Sequence, residues 1–161
     1  MKVVALNLTN TKMGVALFDG ILLKDYQVVL LNEYLLERHL NEVYNNIEHI
    51  IKKTKCDMIV MELLDLNKNG KENLSVESQV CGVIKLACER KGVVYQEYRV
   101  VGYFKKLTGG KNTLSKKVRL LKENDIDIIV DRDNELNDNT ILVDAILLGE
   151  GVAMGKLQIS E

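Results

Sequence analysis

Residues 2–8 (KVVALNL) are apolar on both faces apart from Asn7, which predicts a strand buried on both sides and so central in a sheet. Turn-formers at 9–12 (TNTK) separate it from a second strand, Gly14–Phe18. Asp19-Gly20 is a hairpin signal, and a third strand follows over about Leu22–Leu30. Three strands joined by short turns make an antiparallel meander. The period then changes. Within 35–54, Leu36, Leu40, Val43, Ile47, Ile50 and Ile51 fall at helical spacing with charges between them. Residues 57–63 (DMIVMEL) predict a second buried strand, and 65–74 (DLNKNGKENL) a polar loop. Ser75 or Ser78 is the candidate cap of a helix running to about Lys91. Gly92 ends it, and Val93–Tyr98 predicts a third buried strand. Residues 100–107 suit a short helix. Thr113 or Ser115 starts another to about Asn124, and 126–130 (IDIIV) is an apolar segment of undecided state. The last helix is expected from about Asp138 to Met154, with the stripe Ile141, Leu142, Ala145, Leu148, Gly149 and Val152.

This β-β-β-α-β-α-β-α-α order predicts one α/β domain over residues 1–161. Its mixed five-stranded sheet combines the three-strand meander with two parallel strands and carries helices on both faces. The first strand lies centrally, beside the fourth.

Composition narrows the class. Hydrophobic residues at 47% and charged residues at 28% describe an ordinary globular chain. Proline is absent, which argues against rigid linkers and PxxP docking segments. Cys56, Cys81 and Cys88 have no zinc-like spacing, and reduced thiols in a cytoplasmic protein are expected. Cys81 and Cys88, seven apart on a predicted helix, should pack as small apolar residues. No stretch approaches the roughly 20 apolar residues of a membrane helix. The run Val3–Leu6 is too short for a signal-peptide core, so a soluble protein with no membrane partner is expected.

Taken as a total, the net charge of -1 disfavours nucleic acid. Resolved along the chain it does not. Residues 1–98 hold 12 bases and 13 acids, residues 99–122 hold eight bases and no acid, and residues 123–161 hold ten acids and two bases. The basic segment comprises Arg99, Lys105, Lys106, Lys111, Lys116, Lys117, Arg119 and Lys122. A solvated helix face usually mixes signs, so a strip contacting phosphate backbone is the stronger reading. Gly109-Gly110 lets backbone approach phosphates closely, and Tyr103 and Phe104 supply aromatic surface.

Three polar residues interrupt apolar patterns: Asn7 in the first strand, Glu62 at the end of the fourth, and Asp144 on the stripe of the last helix. Singly, each has a bland alternative: a core amide, a solvated strand end, a boundary residue. Jointly, adjacent central strands and a helix packed on them would gather all three. Converging carboxylates form a hard-cation site suited to Mg²⁺ or Mn²⁺, typical of two-metal phosphodiester hydrolysis.

Five segments carry a resemblance to the RuvC family of Holliday-junction resolvases, in its short phage-type branch, with the ribonuclease-H-like fold. VVALNLTNTKMGVAL resembles the family's opening strand-turn-strand, and IVMELL its fourth strand ending in Glu. SQVCGVIKLACERKGVVYQEY resembles the following helix and strand, VVGYFKKLTGGKNTLSKKV the segment leading to the basic helix, and LVDAILLGEG the last helix. The resemblance implies that Glu62 and Asp144 are metal ligands and that Asn7 stands where the family has its first catalytic Asp. Asn offers one neutral oxygen, so metal affinity should fall. A natural variant and an inactivated form both fit this departure, and a natural one allows one-metal or Mn²⁺-dependent chemistry.

A fourth family acid matches Asp138 most nearly, which equally suits an N-cap; Asp131, Asp133 and Glu135 are alternatives. The family's stacking aromatic is replaced by Asp65, leaving Leu64 or Leu66 as the wedge. Lys105 and Lys116 match basic residues near the scissile phosphate. Implied too are two Mg²⁺ or Mn²⁺ ions, branched DNA as partner, products with a 5′-phosphate, and a homodimer built on helix 75–91 through Val76, Val80, Val83 and Ile84. The contrasting expectations are a non-catalytic branched-DNA-binding protein and a YqgF-like nuclease acting on RNA.

Overall fold

A computed structural model describes residues 1–63, 71–110, 113–124, 126 and 136–157, with the side chains at 71–74, 101 and 136–139 outside the description. Ten elements follow in order: β1 (Lys2–Leu8), β2 (Lys12–Asp19), β3 (Leu22–Leu30), α1 (Leu36–Thr54), β4 (Met58–Glu62), α2 (Lys71–Lys91), β5 (Val94–Tyr98), α3 (Val101–Leu107), α4 (Leu114–Glu123) and α5 (Leu136–Ala153). All three helices expected after β5 form, one more than the summarised order counts. The sheet runs β3-β2-β1-β4-β5, with β1–β2–β3 antiparallel and β1–β4–β5 parallel. This is the mixed five-stranded sheet the pattern predicts, with β1 central beside β4.

Local chemistry sets the turns. Thr9 Oγ1 accepts the Lys12 N–H at 3.1 Å, closing the β1–β2 turn. Gly20, at φ +59°, makes the β2–β3 hairpin in the left-handed region that favours glycine.

Strand alternation sorts the core into two layers. Val4 and Leu6 of β1, with Ile59 and Met61 of β4, pack beneath α1 and α2 against Val43, Ile47 and Ile84. Val3, Ala5, Ala16, Phe18 and Val60 face the other way, against Ala145, Ile146 and Leu148 of α5, Phe104 of α3 and Leu121 of α4. All three cysteines are buried and unpaired. Burial pushes the Cys88 thiol up to about 12, as expected of a packing residue rather than a nucleophile.

Several expectations are corrected. Ser75 and Ser78 lie inside α2, which starts a turn earlier at Lys71 on the helix-forming run KENL. β5 is the edge strand among the described residues, half-buried with Val94 exposed, because no other described strand pairs beyond it. Leu36 at the start of α1 is exposed, and His39 takes the buried place one turn in. α5 has no single apolar stripe: Ile141, Val143 and the run Ala145–Glu150 are all buried. The sheet covers one side of it, and α3 and α4 reach round the other.

Candidate metal and nucleic-acid site

The face under α5 carries the three pattern-breaking residues. Asn7 alternates with Val3 and Ala5, and Glu62 with Met58 and Val60, so both project to the α5 side. The parallel register pairs Leu6 with Met61, which brings Asn7 and Glu62 together at the C-terminal ends of neighbouring strands. Asn7 Nδ2 donates to the Ile141 carbonyl at 3.4 Å. Gly14 sits opposite Asn7 on β2, and only its missing side chain lets Ile141 come so near: an added Cβ would lie 2.7 Å from the Ile141 oxygen. Asp144 follows Ile141 by three residues, one turn along the same side of α5.

Asp144 is met from α4. Its Oδ1 accepts a hydrogen bond from Lys117 Nζ, forming an ion pair in which the lysine side chain is 5% exposed and the aspartate 20%. The ammonium also lies 5.0 Å from the centre of the Phe104 ring. Burial pushes the Asp144 carboxyl up from its ordinary range, while the Lys117 ammonium pulls it down. The expected place of Lys117 in an exposed basic strip is therefore corrected. It shares the inward side of α4 with Leu121, four residues on, and takes up the Asp144 charge. Phe104 is core for the same reason, while Tyr103 is half-buried.

The remaining described bases do face solvent. Arg99, Lys105, Lys106, Lys116 and Arg119 are exposed, with Lys116 Nζ donating to the Thr108 carbonyl and Arg119 paired to Glu123. Gly109 and Gly110 both have positive φ and open surroundings, as a loop approached by a large ligand requires. Lys111 lies outside the described residues, as do Asp131, Asp133, Glu135, Leu64, Asp65 and Leu66. Asp138 falls on the first turn of α5, which begins two residues earlier, so it does not cap that helix; its side chain is outside the description.

The α2 residues expected at an interface divide by burial. Val80 and Ile84 belong to the chain's own core, and Val76 and Val83 pack partly against it. Helical geometry turns that face towards the sheet, so the open face carries Ser75, Ser78, Gln79, Gly82 and Leu86 instead.

Among the described residues no three His, Cys, Asp or Glu side chains gather as a metal cluster. The oxygens that Glu62, Asp144 and Asn7 offer, two carboxylates and one amide, are hard donors of a kind that suits Mg²⁺ or Mn²⁺ at reduced charge. Sequence reasoning missed the Lys117–Asp144–Phe104 arrangement. Its signal was available, since Lys117 lies three residues after Leu114 and four before Leu121, on the apolar side of α4.

A family model described as crossover junction endodeoxyribonuclease RuvC matches residues 12–136, more than half of the chain. The chain belongs to the RuvC family. A curated relative, the crossover junction endodeoxyribonuclease RuvC of Clostridioides difficile (strain 630), is 37% identical over 87 residues. That match spans 49% of the chain and 51% of the relative, about half the length of each.

Solved structures share the fold of this RuvC-family chain. Thermus thermophilus RuvC in complex with Holliday junction substrate superposes at a TM-score of 0.70 with 12% identity, covering 99% of both chains. The yeast mitochondrial Holliday junction resolvase Ydc2 gives 0.71 with 9% identity over 96% of this chain and 78% of that one. Fowlpox virus resolvase, solved with Holliday junction DNA, gives 0.63 with 11% identity over 96% and 98%. The architecture is thus the ribonuclease-H-like one. No described helix is long and apolar enough to cross a membrane.

Proposed function

We propose that this chain is a Holliday-junction resolvase: a homodimeric endonuclease that nicks four-way and related branched DNA with the help of a divalent cation. One observation carries the reading. In a RuvC-family chain, Asn7 and Glu62 stand at the ends of adjacent central strands beneath the helix that bears Asp144. Glu62 and Asp144, with the amide oxygen of Asn7, would hold Mg²⁺ or Mn²⁺, and Asp138 is the further candidate ligand. When bound, such an ion supplies Lewis-acid activation of water and charge stabilisation at the leaving oxygen. The chain's own residues do the rest. Lys105, Lys106 and Lys116 hold phosphate backbone without reading bases, and Gly109-Gly110 admits that backbone closely.

A four-way junction has two symmetric strands to nick, which a two-fold dimer serves. The open α2 face, with Gly82 and Leu86, is the proposed contact. A bacterial or phage-infected cytoplasm is the proposed setting.

The second reading is a branched-DNA-binding protein with impaired chemistry. Neutral Asn7 and the Lys117 bond to Asp144 favour it, since both lower the negative charge available to a metal.

The deciding experiment incubates the wild type, Asn7→Asp and Glu62→Gln proteins with synthetic four-way junctions in Mg²⁺ and in Mn²⁺. Nicking by the wild type, faster nicking by Asn7→Asp and none by Glu62→Gln is the expected result. Binding without nicking by both the wild type and Asn7→Asp overturns the endonuclease in favour of the binding protein.

A further inference from the structure

Glu150 is a carboxylate that the proposed chemistry does not use, and it lies 4% exposed near the end of α5. Burying such a group is costly unless it is hydrogen-bonded. Asn124, exposed at the C-terminal cap of α4, meets it, with Nδ2 donating to Glu150 Oε1 at 2.6 Å. Seven residues earlier on α4, Lys117 donates to Asp144, six residues before Glu150. Two ties therefore join the helices, about 10.5 Å apart along α4 and about 9 Å apart along α5 at a rise of about 1.5 Å per residue. The matched spacings and order mean that α4 and α5 run side by side in the same direction.

The rest of the contact is apolar. Leu121 is fully buried, and Leu114, Val118 and Leu120 pack into the same core layer as α5. Burial of this kind is non-directional and leaves a helix free to slide or roll. α4 has ten residues, too few to be stable without tertiary contacts. The directional ties decide its rotation and register. Rotation matters for Lys116, which points outward because Lys117 points inward. Lys116 Nζ donates to the Thr108 carbonyl at 3.2 Å, at the end of α3 and beside Gly109-Gly110. α3 docks on the same end of α5, where a Cβ on Gly151 would lie 2.9 Å from Tyr103 Cε1.

We propose that Glu150 is a positioning residue for DNA binding: through Asn124 it fixes the end of α4 on α5, and so sets where Lys116 stands relative to Asp144. This rests on the DNA-binding half of the proposed function and adds to it a residue outside the proposed metal ligands.

The test exchanges donor and acceptor. Asn124→Asp sets two carboxyl groups against each other and removes the donor. Glu150→Gln keeps an acceptor oxygen for Asn124. The double variant turns the bond round, with the amide on α5 and the carboxylate on α4, at the net charge of the wild type. Each protein is titrated against a fluorescent four-way junction in EDTA across a salt series, because the slope of affinity against salt counts the phosphates held. The wild type, Glu150→Gln and the double variant should share one slope, and Asn124→Asp should fall short of it by about one unit. Lys116→Ala should lower the wild-type slope by the same amount and that of Asn124→Asp no further. Hydrogen exchange on the free proteins gives a second reading: α4 amides should exchange at least about tenfold faster in Asn124→Asp than in the double variant. One slope for all four proteins makes the tie merely structural and overturns the proposal. So does equal α4 exchange, or a slope lowered in Asn124→Asp and not recovered in the double variant. Should Asn124→Asp not fold, Asn124→Ala removes the donor without adding charge and takes its place. A wild type that binds no junction, with or without Mg²⁺, defeats both this inference and the proposed function. The expected slopes without nicking in Mg²⁺ or Mn²⁺ defeat the nuclease alone.

Discussion

Replacing Gly14 by alanine tests how the site is held together. Gly14 pairs with Asn7 across β1 and β2, and Ile141 of α5 lies directly over the pair. A Cβ at this position would meet the Ile141 oxygen and Cγ2 at 2.7 Å each. The oxygen is the harder obstacle. It is backbone, it belongs to a helix buried along most of its length, and it accepts the Asn7 amide. Relief therefore requires α5 to move as a body away from β2, opening the layer around Phe18, Val143 and Ala145. Overpacking of this kind costs about 1–3 kcal/mol. Breaking the Asn7 hydrogen bond adds up to about 1 kcal/mol, and removing a glycine from a strand returns about 0.5–1 kcal/mol. The net is a destabilisation of about 2 kcal/mol. With a urea m-value of about 2 kcal/mol/M, the unfolding midpoint should fall by about 1 M. Gly102→Ala is the control. Gly102 is exposed on α3 with nothing within 4 Å of an added Cβ, so the midpoint should rise by a few tenths molar. A Gly14→Ala midpoint equal to or above the wild type, at unchanged m-value, would refute the close approach of Ile141 and the site geometry built on it.

Other consequences are as direct. Glu150 is buried, with Asn124 Nδ2 donating to its carboxylate at 2.6 Å, and burial holds its carboxyl above the ordinary range despite Lys156. A carboxyl raised on folding stabilises the fold when protonated, and that contribution is lost as pH rises from the unfolded value through the folded one. Glu150→Gln should therefore gain stability relative to the wild type on going from pH 4 to 7 in chemical denaturation, and a pH-independent difference would contradict this. Charge reversal at Lys105 and Lys116 should weaken junction binding and reduce the steepness of its salt dependence by about one unit for each phosphate no longer held, whereas an unchanged slope would exclude these bases from the strip. Leu86→Lys on the open face of α2 should convert a sedimenting dimer into monomer while leaving the unfolding midpoint near that of the wild type, and a persistent dimer would place the contact elsewhere.

The sheet order is legible in the sequence because β1 and β4 are apolar on both faces, as strands covered from both sides are, and Asp19-Gly20 fixes the hairpin. β5 reads as buried because Val93–Tyr98 looks locally like β4; edge position is set by what does not pair with it, which no local pattern encodes. The start of α2 is misplaced by the sequence since serine is as good an N-cap as a mid-helix residue is tolerable, and tertiary packing decides. At the site, Asn7, Glu62 and Asp144 announce themselves as polar interruptions, and their common face follows from alternation and register. Lys117 does not, because a run of like charges invites one reading for all its members. The fold separates them: Lys116 goes outward and Lys117 inward, as neighbours on a helix must. The valines of α2 show the converse, since an apolar face identifies a buried surface without saying whose surface covers it.

The hydrogen bond from Asn7 to Ile141 joins residues 134 apart in sequence. During synthesis β1 emerges with Asn7, β4 follows with Glu62, and Asp144 arrives only with α5, after every described strand. Long-range closure of this kind comes late in folding. A nascent chain can thus pair its described strands and expose its basic loop before the proposed cation-binding centre exists. On the proposed function, competence to cut comes only with α5, and a chain stalled or clipped before that helix would keep its described strands without the residue that completes the proposed centre.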